Sequence, residues 1–270
     1  MFTFTTLASG SLGNAALVSC GDTHILLDAG ISARRITAGL AELGVKPHQL
    51  SAILLTHEHS DHVSGLRVLS KKAGAPIYAT RPTLWEWYKR QQCDEVKALF
   101  RPQEAGTGFQ VGSLWVESFP TPHDAAGSVG WSIAGEGGRM VLCTDLGHVT
   151  EPVRRAAAGC DLLVCETNHD EDWVRTGPYP YYLKQRILGD YGHLSNRAGA
   201  ELAAFAVETG ARSVILAHLS QTNNTPVRAY HTVALRLLAM DCDPERDISL
   251  SVAPHDTVGP TWSPKEVSVC

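Results

Sequence analysis

Thr56-His57-Glu58-His59-Ser60-Asp61-His62 follows directly on the apolar run Ala52-Ile53-Leu54-Leu55 and sets three imidazoles and the Asp61 carboxylate within six residues. Imidazole nitrogen mixed with carboxylate oxygen suits zinc, manganese or iron. A strand that stops at a tight turn lets His57 and His59 share one face. Asp61 and His62, beyond the strand, then turn toward a second point, as a two-metal hydrolytic centre requires. A merely solvated loop would not gather an uncommon residue in this way.

Around the motif, short β-rich runs alternate with helical patterns. Strands are expected at Phe2–Leu7, Ala15–Cys20, His24–Asp28, Ala52–Thr56 and Pro76–Ala79. Ser32–Leu43 and Ser64–Ala73 read as helices stopped by Gly44 and Gly74. The second part repeats the rhythm, with strands near Leu114–Phe119, Gly130–Ala134, Met140–Thr144, Leu162–Glu166 and Val214–Ala217. Helices are expected near Val153–Ala158, Ala198–Thr209 and Pro226–Ala239. Such alternation predicts a layered α/β sandwich in which helices cover sheets. With 270 residues and 44% apolar content, the chain can bury one large core. One domain over residues 1–252 is expected, with an irregular, proline-bearing tail at 253–270.

Composition narrows the partners. A net charge of −5 excludes a surface that binds polyanions all over, so any nucleic-acid contact must be a local basic patch. Seven cysteines without a C-x-x-C pair point to reduced thiols, with Cys160 and Cys165 flanking a buried strand. The N-terminus has neither a basic region nor a long apolar core, and no apolar run is long enough to span a bilayer. A soluble, cytoplasmic protein with no membrane partner is expected.

Three further strand ends offer donors. His123 follows Phe119-Pro120-Thr121-Pro122, Asp145 ends Val141-Leu142-Cys143-Thr144, and His218 ends Val214-Ile215-Leu216-Ala217. Asp145 alone reads equally as a helix N-cap, and an isolated strand-end histidine is usually a surface residue. All three nevertheless fall at strand C-termini, where α/β folds gather their chemistry.

The series His57, His59, Asp61, His62, His123, Asp145 and His218, in this order and with these strand contexts, resembles the metallo-β-lactamase superfamily. The resemblance covers about residues 2–240 and implies a four-layer αβ/βα sandwich with two divalent ions, zinc or manganese, in a cleft at one edge of the sheets. It also implies that His57, His59 and His123 hold one ion, that Asp61, His62 and His218 hold the other, and that Asp145 bridges them. A bridging aspartate is similar to the phosphodiesterase and thioesterase branches. The opening Ala8-Ser9-Gly10-Ser11-Leu12-Gly13-Asn14, with Glu166-Thr167-Asn168-His169-Asp170 and Gly192-His193-Leu194-Ser195-Asn196, resembles the YycJ/WalJ-like group. Its members are described as metal-dependent 5′→3′ DNA exonucleases linked to DNA repair.

That likeness implies phosphodiester hydrolysis by a hydroxide that the dinuclear centre generates, with Asp61 orienting it and accepting its proton. His193 or His169 is a candidate acid for the leaving sugar oxygen; either equally fits a partner that orients a ligand. Arg175, Lys184 and Arg186, interleaved with tyrosines, would grip single-stranded DNA or its 5′ ends, although a helix face packed on a sheet would look the same. Ser9, Ser11, Asn14, Ser195 and Asn196 are candidate donors to phosphate. The competing reading is a small-molecule thioesterase or lactonase of glyoxalase-like type, because the same centre polarises a carbonyl. An iron oxygen-reducing centre generally carries glutamate where His59 stands.

Overall fold

The computed structural model describes residues 1–264; the end of the expected tail, 265–270, lies outside the described residues. Its first sheet starts as an antiparallel meander of β1 (Phe2–Ala8), β2 (Ala15–Cys20) and β3 (Thr23–Leu27). It continues in parallel through β4 (Ala52–Leu54), β5 (Ile77–Thr80) and β6 (Phe100–Gln103). Parallel neighbours need crossovers, and helices supply them. These are α1 (Ala33–Glu42), α2 (Ser60–Val63) with α3 (Leu66–Ala73), and α4 (Arg81–Gln91) with α5 (Asp94–Lys97).

The second sheet repeats this plan. β7 (Gly108–Val111), β8 (Leu114–Pro120), β9 (Val129–Gly135) and β10 (Gly138–Cys143) run antiparallel. β11 (Leu162–Glu166), β12 (Ser213–Ala217) and β13 (Ser249–Val252) then add in parallel. The crossovers are α6 (Glu151–Ala157), then α7 (Glu171–Thr176), α8 (Tyr181–Leu188) and α9 (Asn196–Glu208), and finally α10 (Pro226–Leu238).

Strand alternation builds the layers. In β3, Ile25 and Leu27 point between the sheets, where they join Phe4, Trp131, Ile133 and Met140, while Leu26 points outward to Ile36, Leu40 and Leu66. Beyond the second sheet, Val141, Leu163 and Val214 pack on Val153, Ala203 and Leu237 from the helices. The result is the expected four-layer αβ/βα sandwich. Trp131 is wholly buried between the sheets, so truncating it to alanine would cost about 3–5 kcal/mol.

Several elements exceed the sequence reading. Edge strands β6 and β7 are short, and neither they nor α4 and α7 are among the expected elements, while α8 forms in the stretch of basic and tyrosine residues for which a helix face was one reading. The helix expected from Ser64 starts at Leu66, because Ser60–Val63 forms its own helical turn. Between Ala253 and Pro264 the chain has no helix or strand, yet Trp262 exchanges backbone hydrogen bonds of 3.0 and 2.8 Å with Phe4 and sets its ring edge-on to Phe2. The open side of β1 is thereby covered. Among the described residues, no helix is long and apolar enough to cross a membrane.

Candidate metal centre

Each donor sits where a strand stops. His57 lies just past β4, His123 past β8, Asp145 past β10 and His218 past β12. Asp145 and His218 adopt left-handed backbone angles, φ 60° and 58°, and Asp28, just past β3, does so at 57°. Such a conformation costs a non-glycine residue about 1–2 kcal/mol. Here it turns a buried side chain off the strand line toward the seam between the sheets.

Asp61 and His62 ride on α2, which is clamped from below. The backbone N–H of Asn14 donates to Asp61 O at 2.8 Å, and that of Ala29 donates to His62 O at 2.8 Å. Gly30 permits this approach, because a Cβ there would lie 1.6 Å from Asp61 O.

The side chains converge into overlapping sets: His57, His59 and His123; His57, His62 and Asp145; Asp61, His62 and His218. Within each set the donor atoms lie inside 4.8 Å of one another. The Asp145 carboxylate stands at the centre. Its Oδ2 is 3.3 Å from His62 Nε2, while Oδ1 is 3.5 Å from His218 Nε2 and 3.7 Å from His123 Nε2. Asp61 Oδ2 lies 3.5 Å from both His62 Nε2 and His218 Nε2.

Three of these atoms are buried without a hydrogen-bond partner: His57 Nε2, His123 Nε2 and Asp145 Oδ2. Buried polar atoms are rarely left so, and a cation is the natural partner for two imidazole nitrogens and a carboxylate oxygen. Electrostatics agree. Burial disfavours a charged His218, yet Asp145, with hydrogen bonds to Asp61 and Glu166, pushes its pKa up to about 10. His62, equally buried, is raised well above the ordinary value by Asp145, Asp28 and Asp61. Burial pushes His57 down, helped by His62, His123 and His59. Without metal, protons on some imidazoles stand in for the missing positive charge; the donor set fits two divalent cations.

A second tier fixes the rings. Asp28 accepts from His62 Nδ1 at 2.8 Å, from Thr56 Oγ1 at 2.9 Å and from the Thr56 N–H at 2.8 Å. Thr56 Oγ1 in turn meets His57 Nδ1 at 3.0 Å, and His123 Nδ1 donates to Gly192 O at 3.0 Å. Wholly buried Glu166 takes His193 Nδ1 at 2.8 Å and His218 Nδ1 at 2.9 Å on Oε1, and the N–H groups of Leu194 and Leu146 on Oε2. For His57, His62, His123 and His218 the Nδ1 contact leaves Nε2 to face the centre, whereas His193 approaches Asp145 Oδ1 through Nδ1, at 3.6 Å. Neither Asp28 nor Glu166 was among the candidate site residues from sequence. The signal existed, since both carboxylates end apolar runs just as Asp145 does.

A profile for the β-lactamase superfamily domain matches residues 23–219. This chain belongs to the β-lactamase superfamily. Among its relatives, exodeoxyribonuclease WalJ of Streptococcus pneumoniae is 36% identical over 96% of this chain and 97% of its own length. Exodeoxyribonuclease YycJ of Bacillus anthracis is 35% identical over 82% and 83%. In fold, it is similar to the metallo-β-lactamase fold protein YhfI of Bacillus subtilis, at TM-score 0.71 and 16% identity over 96% of this chain and 100% of the other. Zn²⁺-bound PqqB of Methylobacterium extorquens superposes at TM-score 0.66 with 19% identity, over 96% and 99%.

In this superfamily member the centre floors a cleft of about 290 Å³, whose lining includes Ser11, Leu12, His193, Tyr179, Leu183 and Arg186. Arg186 also pairs with Asp124, donating from an Nη to Oδ1 at 3.1 Å. Asn14 is buried behind the cage, its amide 3.1 Å from His62 Nε2 and bonded to Gly10 on both sides.

Other candidate substrate contacts are not brought to the cleft. Ser9 Oγ accepts from the His218 N–H at 2.9 Å. Ser195 caps α9 and donates to Glu171 at 2.9 Å, and Asn196 exchanges two amide hydrogen bonds with Asn224. Ser195 thus gives its hydroxyl proton to Glu171, while Ser9 and Asn196 are buried against His218 and Asn224, and none of the three lies in the cleft lining. His169 also lies outside the cleft lining; it is buried, and desolvation pulls its pKa down to about 4, which suits a ring that orients its neighbours. Arg175 turns to Glu171, and Lys184 donates to Arg175 O at 2.8 Å, outside the cleft lining.

Proposed function

We propose that this protein is a metal-dependent exodeoxyribonuclease that removes nucleotides from DNA, acting on single strands from the 5′ end with two manganese or zinc ions. One observation carries the reading: a buried cage with orphaned donor atoms, in a chain 36% identical along nearly its whole length to an exodeoxyribonuclease. When bound, paired divalent ions supply a nucleophilic water at neutral pH and neutralise charge on the phosphoryl oxygens.

In this reading His57, His59 and His123 hold one ion, Asp61, His62 and His218 hold the other, and Asp145 offers an oxygen to each. Asp61 is partly exposed at the cleft, where it can orient the attacking water and take up its proton. His193 serves the leaving sugar oxygen. Its Nδ1 is committed to Glu166, so Nε2 is the ring atom left to serve that oxygen. Arg186 holds a phosphate once it leaves Asp124.

Metal-stripped protein reloaded with Mn²⁺ or Zn²⁺ and given 5′-labelled and 3′-labelled single-stranded DNA tests this. Progressive release of the 5′ label as mononucleotide, abolished in Asp145→Ala, is expected. Thioester turnover with every polynucleotide left intact would replace the reading with a small-molecule hydrolase.

A further inference from the structure

Neither the metal cage nor the core accounts for Leu12, which is 74% exposed at the tip of the Gly10–Gly13 turn. A lone exposed leucine is ordinary on a surface. This one, however, sits beside the reaction centre on a loop tied to the ligands on both sides. Ahead of it, Ser9 Oγ holds the His218 N–H at 2.9 Å. Behind it, the Asn14 N–H holds Asp61 O at 2.8 Å, and the turn between is closed by Gly13 N–H on Gly10 O at 3.0 Å. Leu12 is therefore carried at a set position relative to Asp61 and His218.

The other apolar side chains lining the cleft come from a separate element: Tyr179 just ahead of α8, with Leu183 and Ile187 one helical turn apart on it. Metal-site residues form the floor, and these groups supply the apolar part of a lining that also carries Ser11, Arg186, Ser220 and Gln221. A nucleotide has the matching polarity, a charged phosphate at one end and an apolar base face at the other. At about 290 Å³ the cleft falls at the small end of ligand sites and admits one nucleotide rather than a stacked run.

We propose that Leu12 is a wedge that inserts between the base of the terminal nucleotide in the cleft and the base that follows it, so that one nucleotide at a time reaches the metal centre. Apolar side chains that enter a base step replace the stacking contact they break. Tyr179 offers the other face of the terminal base a ring to stack on. This inference rests on the deoxyribonuclease reading above.

The test compares Mn²⁺-loaded wild type, Leu12→Ala and Leu12→Met on a single-stranded oligodeoxynucleotide and on bis(p-nitrophenyl) phosphate, which has no bases to separate. In Leu12→Ala, KM for DNA is expected to rise about tenfold. Products about two or three nucleotides long should appear beside mononucleotides, while turnover of the small diester stays within about twofold of wild type. Leu12→Met should restore both properties on DNA. The wedge is wrong if Leu12→Ala releases only mononucleotides at unchanged KM. It is equally wrong if both substrates are lost in parallel, which would mean that Leu12 only supports the cage. A wild type inert toward DNA but active on the small diester removes the nuclease reading itself, and the wedge with it.

Discussion

His62 is locked to Asp28: its Nδ1 donates to Asp28 Oδ2 at 2.8 Å, which leaves Nε2 aimed at Asp145 Oδ2, 3.3 Å away. Asp28 is nearly inaccessible and held at φ 57°, and besides anchoring Thr56 it orients that ring and raises its basicity. Asp28→Asn keeps the shape, and asparagine tolerates the left-handed backbone. It should fold normally by circular dichroism yet bind the second metal about 10–100-fold more weakly in a chelator competition. Unchanged affinity would remove Asp28 from the site.

Protonation and metal loading should be linked. In the metal-free protein His218 has its pKa raised to about 10 and His62 is raised as well. A folded-state pKa above the ordinary 6.5 or so contributes stability that is fully present below about pH 6.5 and fades as pH climbs toward 10. The melting temperature of chelator-treated protein should therefore fall between pH 7 and pH 10. Buried His57 is shifted the other way, so its influence lies on the acid side, and the buried thiols of Cys143, Cys160 and Cys165, which burial pushes up, add to the fall only above about pH 9, so the imidazoles are read between pH 7 and about 8.5. Adding Zn²⁺ at pH 8 should release protons, detectable with an indicator dye. Metal uptake with no proton release would contradict the charge assignment.

His193→Ala tests the acid. If His193 protonates the leaving sugar oxygen, kcat on DNA should drop about 10²–10⁴-fold. Turnover of bis(p-nitrophenyl) phosphate, whose leaving group needs no proton, should fall far less. Equal losses on both substrates would instead assign His193 to holding the centre, consistent with its sharing Glu166 Oε1 with His218.

What the sequence displayed and what it hid divide along physical lines. Buried strands are apolar runs, and the motif from His57 to His62 is chemically dense, so the layers and those four donors stand out in a linear reading, whereas His123, Asp145 and His218 join them only through the family resemblance. β6 and β7 lie at sheet edges and are four residues long, so the one inward Phe100 and the Phe109–Val111 alternation are too brief to stand out as strands. Ser195 shows how a hydroxyl before a helical stretch has two meanings: its oxygen caps α9 by accepting from Ala198 N–H, and its proton goes to Glu171. Glu166 and Asp28 went unassigned because a carboxylate ending an apolar run has several meanings. Only the three-dimensional approach of His62, His193 and His218 chooses among them.

The seam position of the centre has a bearing on biogenesis. His57, His59, Asp61 and His62 follow β4 of the first sheet, whereas His123, Asp145 and His218 follow strands of the second. A polypeptide still emerging from the ribosome completes the group of His57, His59 and His123 only once the second sheet has begun, and the group of Asp61, His62 and His218 only when β12 has been made. Capture of an ion at both groups would thus report that the two sheets have closed on each other.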